Sequence, residues 1–434
     1  MATKCDQCGV ESEIELAYRK ERRWFGLQTR RYCPACLQKR HTQALKRSLL
    51  FFILFGIAGL ALVLVNPGNW LGWILLKLVL FLLLSVPLIL VHELAHALAG
   101  YLLKLRIFAI FIGYGKTLFA RRALGINWEI KTFPFGGLTI IGSPPLSYYR
   151  FRMFLTLLAG PAVHGLLFFP LIAVPVILSI FGQAASVAGS MFEVMAWANA
   201  IIFLISLFPI KSMSVYGETG SDGWNLLRIP FLASNEIQDH YASYYVQEAV
   251  DAYRQGDLRS AKVWIEKGIA QYPAHPLVLN GLGFILLEAR EFARARNTFA
   301  NLLQSHPDMK PELKFMVQNN IAYANLMVGD PALLAEADTL SAQAYKNAPW
   351  MPSIVGTRGA VLVELGQLDE GIAMLKEAMA NQSEVQGKAA DACLIAIGEI
   401  RKGNLVESQR FLDLARSLDP NCYLIERAAA ELPS

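Results

Sequence analysis

Residues 48–210 consist largely of apolar runs with almost no charge, each near the length a bilayer demands of one helix. Ser48–Val65 carries no charge at all. Trp70–Leu103 has Lys77 near one end and His92, Glu93 and His96 toward the other, with Pro87 one turn before His92. Phe154–Phe181 lacks acidic and basic residues but holds Pro161, His164, Pro170 and Pro175, and Val187–Ile210 contains only Glu193. Four such runs in succession predict four membrane spans. They must be helical, because lipid offers no partner for an unsatisfied backbone group. The 54% hydrophobic content reflects this surplus, since residues 1–47 and 234–434 have ordinary soluble composition. No cleavable signal peptide is evident, so the first run reads as an uncleaved span.

Loop charge orients the spans. Lys39, Arg40, Lys46 and Arg47 precede the first. Lys104, Arg106, Lys116, Arg121, Arg122, Lys131, Arg150 and Arg152 lie between the second and third. The loops near Asn66–Asn69 and Gly182–Ser190 have no lysine or arginine. The positive-inside rule then places both termini and the central loop in the cytoplasm. Within that loop Ile126, Trp128 and Ile130 alternate with Asn127, Glu129 and Lys131, the period of a strand. Apolar stretches at Ile107–Ile112 and Leu138–Ile141 flank it, so a small sheet against the membrane face is expected, with a re-entrant loop as the alternative.

The C-terminal region repeats. Pro273 and Pro307 stand 34 residues apart, as do Ala261 and Ala295. Gly283, Ala295, Phe299 and Pro307 fall at the spacings of a tetratricopeptide repeat. Gly359, Gly366 and Ala378 mark a later unit, and Gly403, Leu412, Ala415 and Pro420 the last. About five helix pairs are expected, the unit near Gly329–Pro349 being irregular. The fold class is therefore mainly α: a helical membrane core (48–233) with a small β segment, an N-terminal zinc-ribbon-like domain (1–40) and a C-terminal solenoid (235–434).

The sharpest chemical signal is His92-Glu93-Leu94-Ala95-His96. Helical residues four apart share a face, so both imidazoles can reach one zinc ion, and Glu93 stands beside it to take a proton from water. Such groups inside an apolar span are costly without a functional partner. A third ligand is needed. Asp222, in Gly220-Ser221-Asp222-Gly223-Trp224, is the better candidate, because Glu193 falls toward the outer end of the fourth span.

At these residues the chain resembles the site-2 proteases, zinc intramembrane proteases, over about Ser85–Leu227. The zinc-binding helix, Pro134-Phe135-Gly136-Gly137, Leu158-Ala159-Gly160-Pro161, and Leu207-Phe208-Pro209 with Asp222-Gly223 are similar to the family's motifs. The resemblance implies zinc on His92, His96 and Asp222, Glu93 as general base, and substrate contacts at Gly136 and Gly137. It also implies that an extended substrate segment adds to a strand of the Ile126–Ile141 region. His164 and Ser206 stand where the family often has asparagine, and Asn199 could partly substitute in contacting the substrate.

Cys5-x-x-Cys8 and Cys33-x-x-Cys36 fit a structural four-thiolate zinc site, with Tyr18–Trp24 and Leu27–Tyr32 as ribbon strands. The basic residues there are explained by an anionic membrane with less demand than by nucleic acid. The expected partners are a membrane-spanning protein substrate, the lipid bilayer, and proteins bound by the repeats. The compact arrangement points to a bacterial inner membrane. The competing reading is a membrane scaffold with weak or lost catalysis, against which the retention of Glu93 counts.

Overall fold

The computed structural model describes residues 3–13, 17–23, 26–180, 187–214, 217–382 and 384–432. It is mostly helical and clusters into two compact units. One comprises residues 1–37 and 248–434, the other residues 38–247.

The chain begins with two small antiparallel hairpins, β1 (Thr3–Lys4) with β2 (Glu11–Ser12) and β3 (Ala17–Arg23) with β4 (Gly26–Tyr32). Tyr18 and Arg31 are register partners in the second, within the ribbon strands expected from the sequence; Trp24, the end of the first expected strand, lies outside the described residues. The tight turn after Cys8 needs Gly9, whose φ of 79° favours glycine. Helix α1 (Pro34–Val65) then starts within the second cysteine pair. It is longer than the expected first span because the charged stretch after Cys36 continues the helix.

In the membrane unit, α2 (Trp70–Leu102) runs unbroken through Pro87. The strands β5 (Arg106–Ala123) and β6 (Ile126–Gly142) follow, then α3 (Tyr149–Ile180) and α4 (Val187–Leu207). Leu64, Leu83, Leu98, Phe169 and Leu204 are each more than 60% exposed, a surface suited to acyl chains and not to water. Among the described residues three helices are long and apolar enough to cross a membrane: α1, α2 and α3. The apolar stretch of α4, Met191–Leu207, is shorter. Most of the predicted Gly182–Ser190 loop lies outside the described residues.

Both long strands bend, so the sheet has four segments. Residues 106–112 pair with 142–137 and also face Asn127–Ile130, while 117–123 pair with 131–126. The segment 106–112 is thus interior and Gly137–Gly142 lies at an edge. After α4 come β7 (Lys211–Ser214), β8 (Gly217–Gly220) and α5 (Asp222–Arg228). A 3-10 turn, Ile229–Phe231, leads to α6 (Ser234–Arg254), on which the unit boundary falls.

The repeat unit continues with α7 (Leu258–Gln271), α8 (Pro276–Glu288), α9 (Phe292–Ser305), α10 (Pro311–Val328) and α11 (Leu334–Asn347). It ends with α12 (Pro352–Glu364), α13 (Leu368–Asn381), α14 (Val385–Arg401), α15 (Leu405–Leu418) and α16 (Leu424–Ala430). Helices α7, α9, α11, α13 and α15 each have 14 residues. The fourth residue of each is small and buried: Ala261, Ala295, Ala337, Gly371 and Ser408. A side chain of that size lets paired helices approach closely, which is the physical content of the repeat signature. The irregular unit is explained by a longer α10 and the 3-10 turn Pro331–Leu333. The ribbon packs on this unit. Ser12 Oγ donates to the Asn347 carbonyl at 2.6 Å, the Glu13 amide donates to Asn347 Oδ1 at 3.0 Å, and Trp350 lies against the cysteine cluster.

Candidate metal centre and active site

Helix α2 buries one face carrying His92, Glu93 and His96, each no more than 7% exposed. The histidines, one turn apart, bring their Nε2 atoms to 3.1 Å. Asp222 arrives from α5, the seven-residue helix whose N-cap is Ser221. Ser221 Oγ donates to the Phe208 carbonyl at 2.6 Å and accepts from the Ile210 and Trp224 amides. These bonds tie α5 to the end of α4 and aim Asp222 inward. Its Oδ2 lies 2.9 Å from His92 Nε2 and its Oδ1 3.4 Å from His96 Nε2.

Those separations test the fit of a metal. Nitrogen and oxygen ligands on a tetrahedral zinc stand about 3.3 Å from one another, given bonds of ~2.0–2.1 Å. The observed 2.9–3.4 Å spans that value. Burial alone would raise the Asp222 carboxyl, but the adjoining His92 and His96 imidazoles hold it down at about 2, ionised as a ligand must be. His92, His96 and Asp222 could therefore hold zinc. Cys5, Cys8, Cys33 and Cys36 form a second group. There Cys8 Sγ and Cys33 Sγ are 3.6 Å apart, close to the ~3.8 Å edge of a tetrahedral four-thiolate zinc site. The Cys33 amide also donates to Cys5 Sγ.

Each histidine is oriented through its other nitrogen. His96 Nδ1 bonds the Thr156 carbonyl at 2.7 Å, and His92 Nδ1 lies 3.2 Å from His164 Nε2. His164 Nδ1 lies 2.7 Å from Asn199 Oδ1, while Asn199 Nδ2 donates to the His164 carbonyl at 2.8 Å. Asn199, expected from the sequence to contact substrate, is fully buried and spends both amide atoms on His164. The anchoring of both rings was not legible in the sequence, because it needs groups 60 and 72 residues away.

Glu93 points toward the sheet edge. Thr139 Oγ1 donates to Glu93 Oε2 at 2.7 Å, and a Cβ on Gly137 would sit 2.3 Å from Glu93 Oε1. Gly137 thus allows the strand to touch the base, and Gly136, at φ 105°, makes the bend before it. On the other side a Cβ on Gly160 would fall 2.3 Å from His96 Nε2, so only glycine lets α3 approach the ligands. Thr139 and Gly160 were missed as site residues, although Thr139 lies in the flanking stretch Leu138–Ile141 and Gly160 in the Leu158–Pro161 motif. Glu193 is placed elsewhere, half exposed and 2.7 Å from Lys77. Ser206 bonds its own helix at Phe203 O.

Among solved structures, a thermophilic TPR protein of Thermus thermophilus is 20% identical, covering 44% of this chain and 98% of its own, with a TM-score of 0.35. YrrB, a TPR protein with an unusual peptide-binding site, is 16% identical over 45% and 97%, at 0.29. PilW, a type IV pilus biogenesis factor, is 18% identical over 44% and 86%, at 0.32. A search of curated proteins returns no match. The model of peptidase family M50 matches residues 79–327, which is more than half of the chain and contains the ligand helix, the sheet edge and Asp222. The chain belongs to peptidase family M50, the site-2 protease family.

Proposed function

We propose that this protein is a zinc-dependent intramembrane endopeptidase that hydrolyses peptide bonds of membrane-spanning protein substrates, with Glu93 as general base. The observation that carries the reading is the meeting of three ligand atoms at tetrahedral separations with a carboxylate held beside a strand edge. Zinc bound there would supply Lewis acidity toward a water molecule and the scissile carbonyl. Glu93 takes a proton from the attacking water and returns it to the departing amine. Thr139 holds the Glu93 carboxylate in place for both transfers.

A helical substrate shields its carbonyls, so it must unwind before attack. Gly137–Gly142 makes no backbone hydrogen bond to another described element apart from its pairing with 106–112. An extended substrate segment can add to that edge and pass Glu93. In this reading α4 completes four spans, both termini lie in the cytoplasm of a bacterial inner membrane, and the repeats bind a protein partner. Asn199 acts through His164 in positioning His92. The test is a proteomic comparison of membrane fragments in cells carrying the wild-type chain or Glu93→Gln. Fragments cut inside a span should vanish in the variant. Identical fragment sets would refute the proposal.

A further inference from the structure

Residues 421–431 meet the ends of four repeat helices. The Asn421 carbonyl accepts from Arg290, two residues beyond α8, at 3.3 Å. The Tyr423 ring lies 5.6 Å from the Phe292 ring, with the Arg290 guanidinium 5.1 Å over its face. The Tyr423 hydroxyl donates to Met327 Sδ at 3.1 Å and engages the Tyr323 hydroxyl, both on α10. One turn further on, Arg427 pairs with Glu364, the last residue of α12. Glu431 accepts two bonds of 2.9 Å from Arg401, the last residue of α14. These partners stand 30 to 131 residues apart in the chain, so only the stacking of the repeats brings them together.

The socket around Tyr423 uses every part of a tyrosine. Arg290 offers a cation to the ring face, Phe292 offers a second ring, and Tyr323 and Met327 engage the hydroxyl. Elsewhere the segment is lightly fastened. Helix α16 has seven residues, too few to be helical without tertiary support. Its ion pairs remain 18–32% exposed, and pairs open to water add little stability. Cys422, Leu424 and Ala428 are its buried side chains. Segments held by so few groups open more readily than the core. We propose that this socket, with Glu364, is a recognition surface for a protein partner, and that residues 421–431 are its resident occupant, an inference that rests on the partner-binding role given to the repeats above. The partner presents a tyrosine and, four residues later on a helical turn, an arginine, and it binds by displacing residues 421–431. Its apparent affinity falls in proportion to the fraction of chains whose socket is empty.

The test uses the full chain in lipid nanodiscs and a fluorescein-labelled peptide of residues 421–431, with binding followed by fluorescence anisotropy. Tyr423→Ala with Arg427→Ala empties the socket, and this chain should bind the peptide at least about tenfold more tightly than the wild type. Changing the peptide's own tyrosine to alanine should abolish that gain. Tyr423→Phe, which keeps the ring and the fold, should give a smaller gain. On the wild-type chain, saturating peptide should speed amide exchange in α16 and leave α13 unchanged. Equal binding by the wild-type and emptied chains, binding that ignores the peptide's tyrosine, or binding that leaves α16 exchange unchanged overturns the proposal. Cleavage of a single-span peptide by the same wild-type preparation reports on the protease reading separately. If the chain cuts but neither form binds the peptide, the recognition surface alone fails. If the peptide binds as expected and nothing is cut, the surface stands and the protease reading fails.

Discussion

His164 Nε2 stands 3.2 Å from His92 Nδ1, and the contact decides which nitrogen of His92 faces the metal centre. Asn199 Nδ2 donates to the His164 carbonyl, so its Oδ1 must accept from His164 Nδ1. His164 Nε2 is then an acceptor, His92 Nδ1 carries the proton, and His92 Nε2 offers a lone pair beside Asp222. His164→Leu should lower zinc affinity of this centre about 10–100-fold. Competition against a graded chelator series measures it. Unchanged affinity would show that His92 is oriented without this relay.

The strand that touches Glu93 should be sensitive to one methyl group. A Cβ at Gly137 would overlap the Glu93 carboxylate, and moving a base by about 1 Å can cost about 100-fold in rate. Gly137→Ala should therefore keep zinc and lose about 100-fold in kcat. Thr139→Val, which removes one hydrogen bond to Glu93, should lose less. Loss of zinc in Gly137→Ala would mean that the strand supports the ligands and not the base.

The ribbon and the repeats should respond together. With Ser12 and Glu13 bound to Asn347 and Trp350 against the cysteines, Cys5→Ser with Cys33→Ser should remove one zinc equivalent and speed amide exchange around Asn347–Trp350. The membrane centre should keep its metal. Metal analysis and hydrogen exchange on the full chain report both effects, and unaltered exchange at Asn347 would show that docking does not need the metal.

Asp391 gives the repeat unit a pH signature. Burial between helices raises its carboxyl to about 7, and its Oδ2 has no partner among the described residues. An unfolded aspartate titrates near 3.9. Between these values the folded state holds more protons, so this contribution to stability falls as pH rises from about 4 to about 7. Asp391→Asn should stabilise α14 by on the order of 3 kcal/mol at pH 8 and change little at pH 4. Exchange protection of α14 amides across that range checks the sign. Protection lost at pH 8 in the variant would mean that the ionised carboxylate is stabilising.

What could be read before the structure was what local periodicity records. Apolar run length marked the helices of the membrane unit, the four-residue spacing marked His92 and His96, and small residues in phase marked the repeats. The start of α1 was missed because its first turns are charged and look like a linker. The edge position of Gly137–Gly142 depends on both strands bending, which alternation in Ile126–Lys131 does not reveal. Asn199 was legible as a polar residue in an apolar helix, yet its partner His164 lies 35 residues away on α3. Ring-to-ring contacts between helices leave no trace in the spacing of either helix.

The central claim, zinc-dependent hydrolysis inside the membrane with Glu93 as base, is tested most directly with the purified full chain and a single-span peptide in one lipid preparation. The wild-type chain should cut the peptide within its span, at a site located by mass spectrometry. Stripping metal with a chelator should stop cleavage, and added zinc should restore it. Glu93→Gln should bind zinc as the wild type does and cut at least about 1,000-fold more slowly. Cleavage that continues in Glu93→Gln, or in chain stripped of both zinc equivalents, would contradict the account.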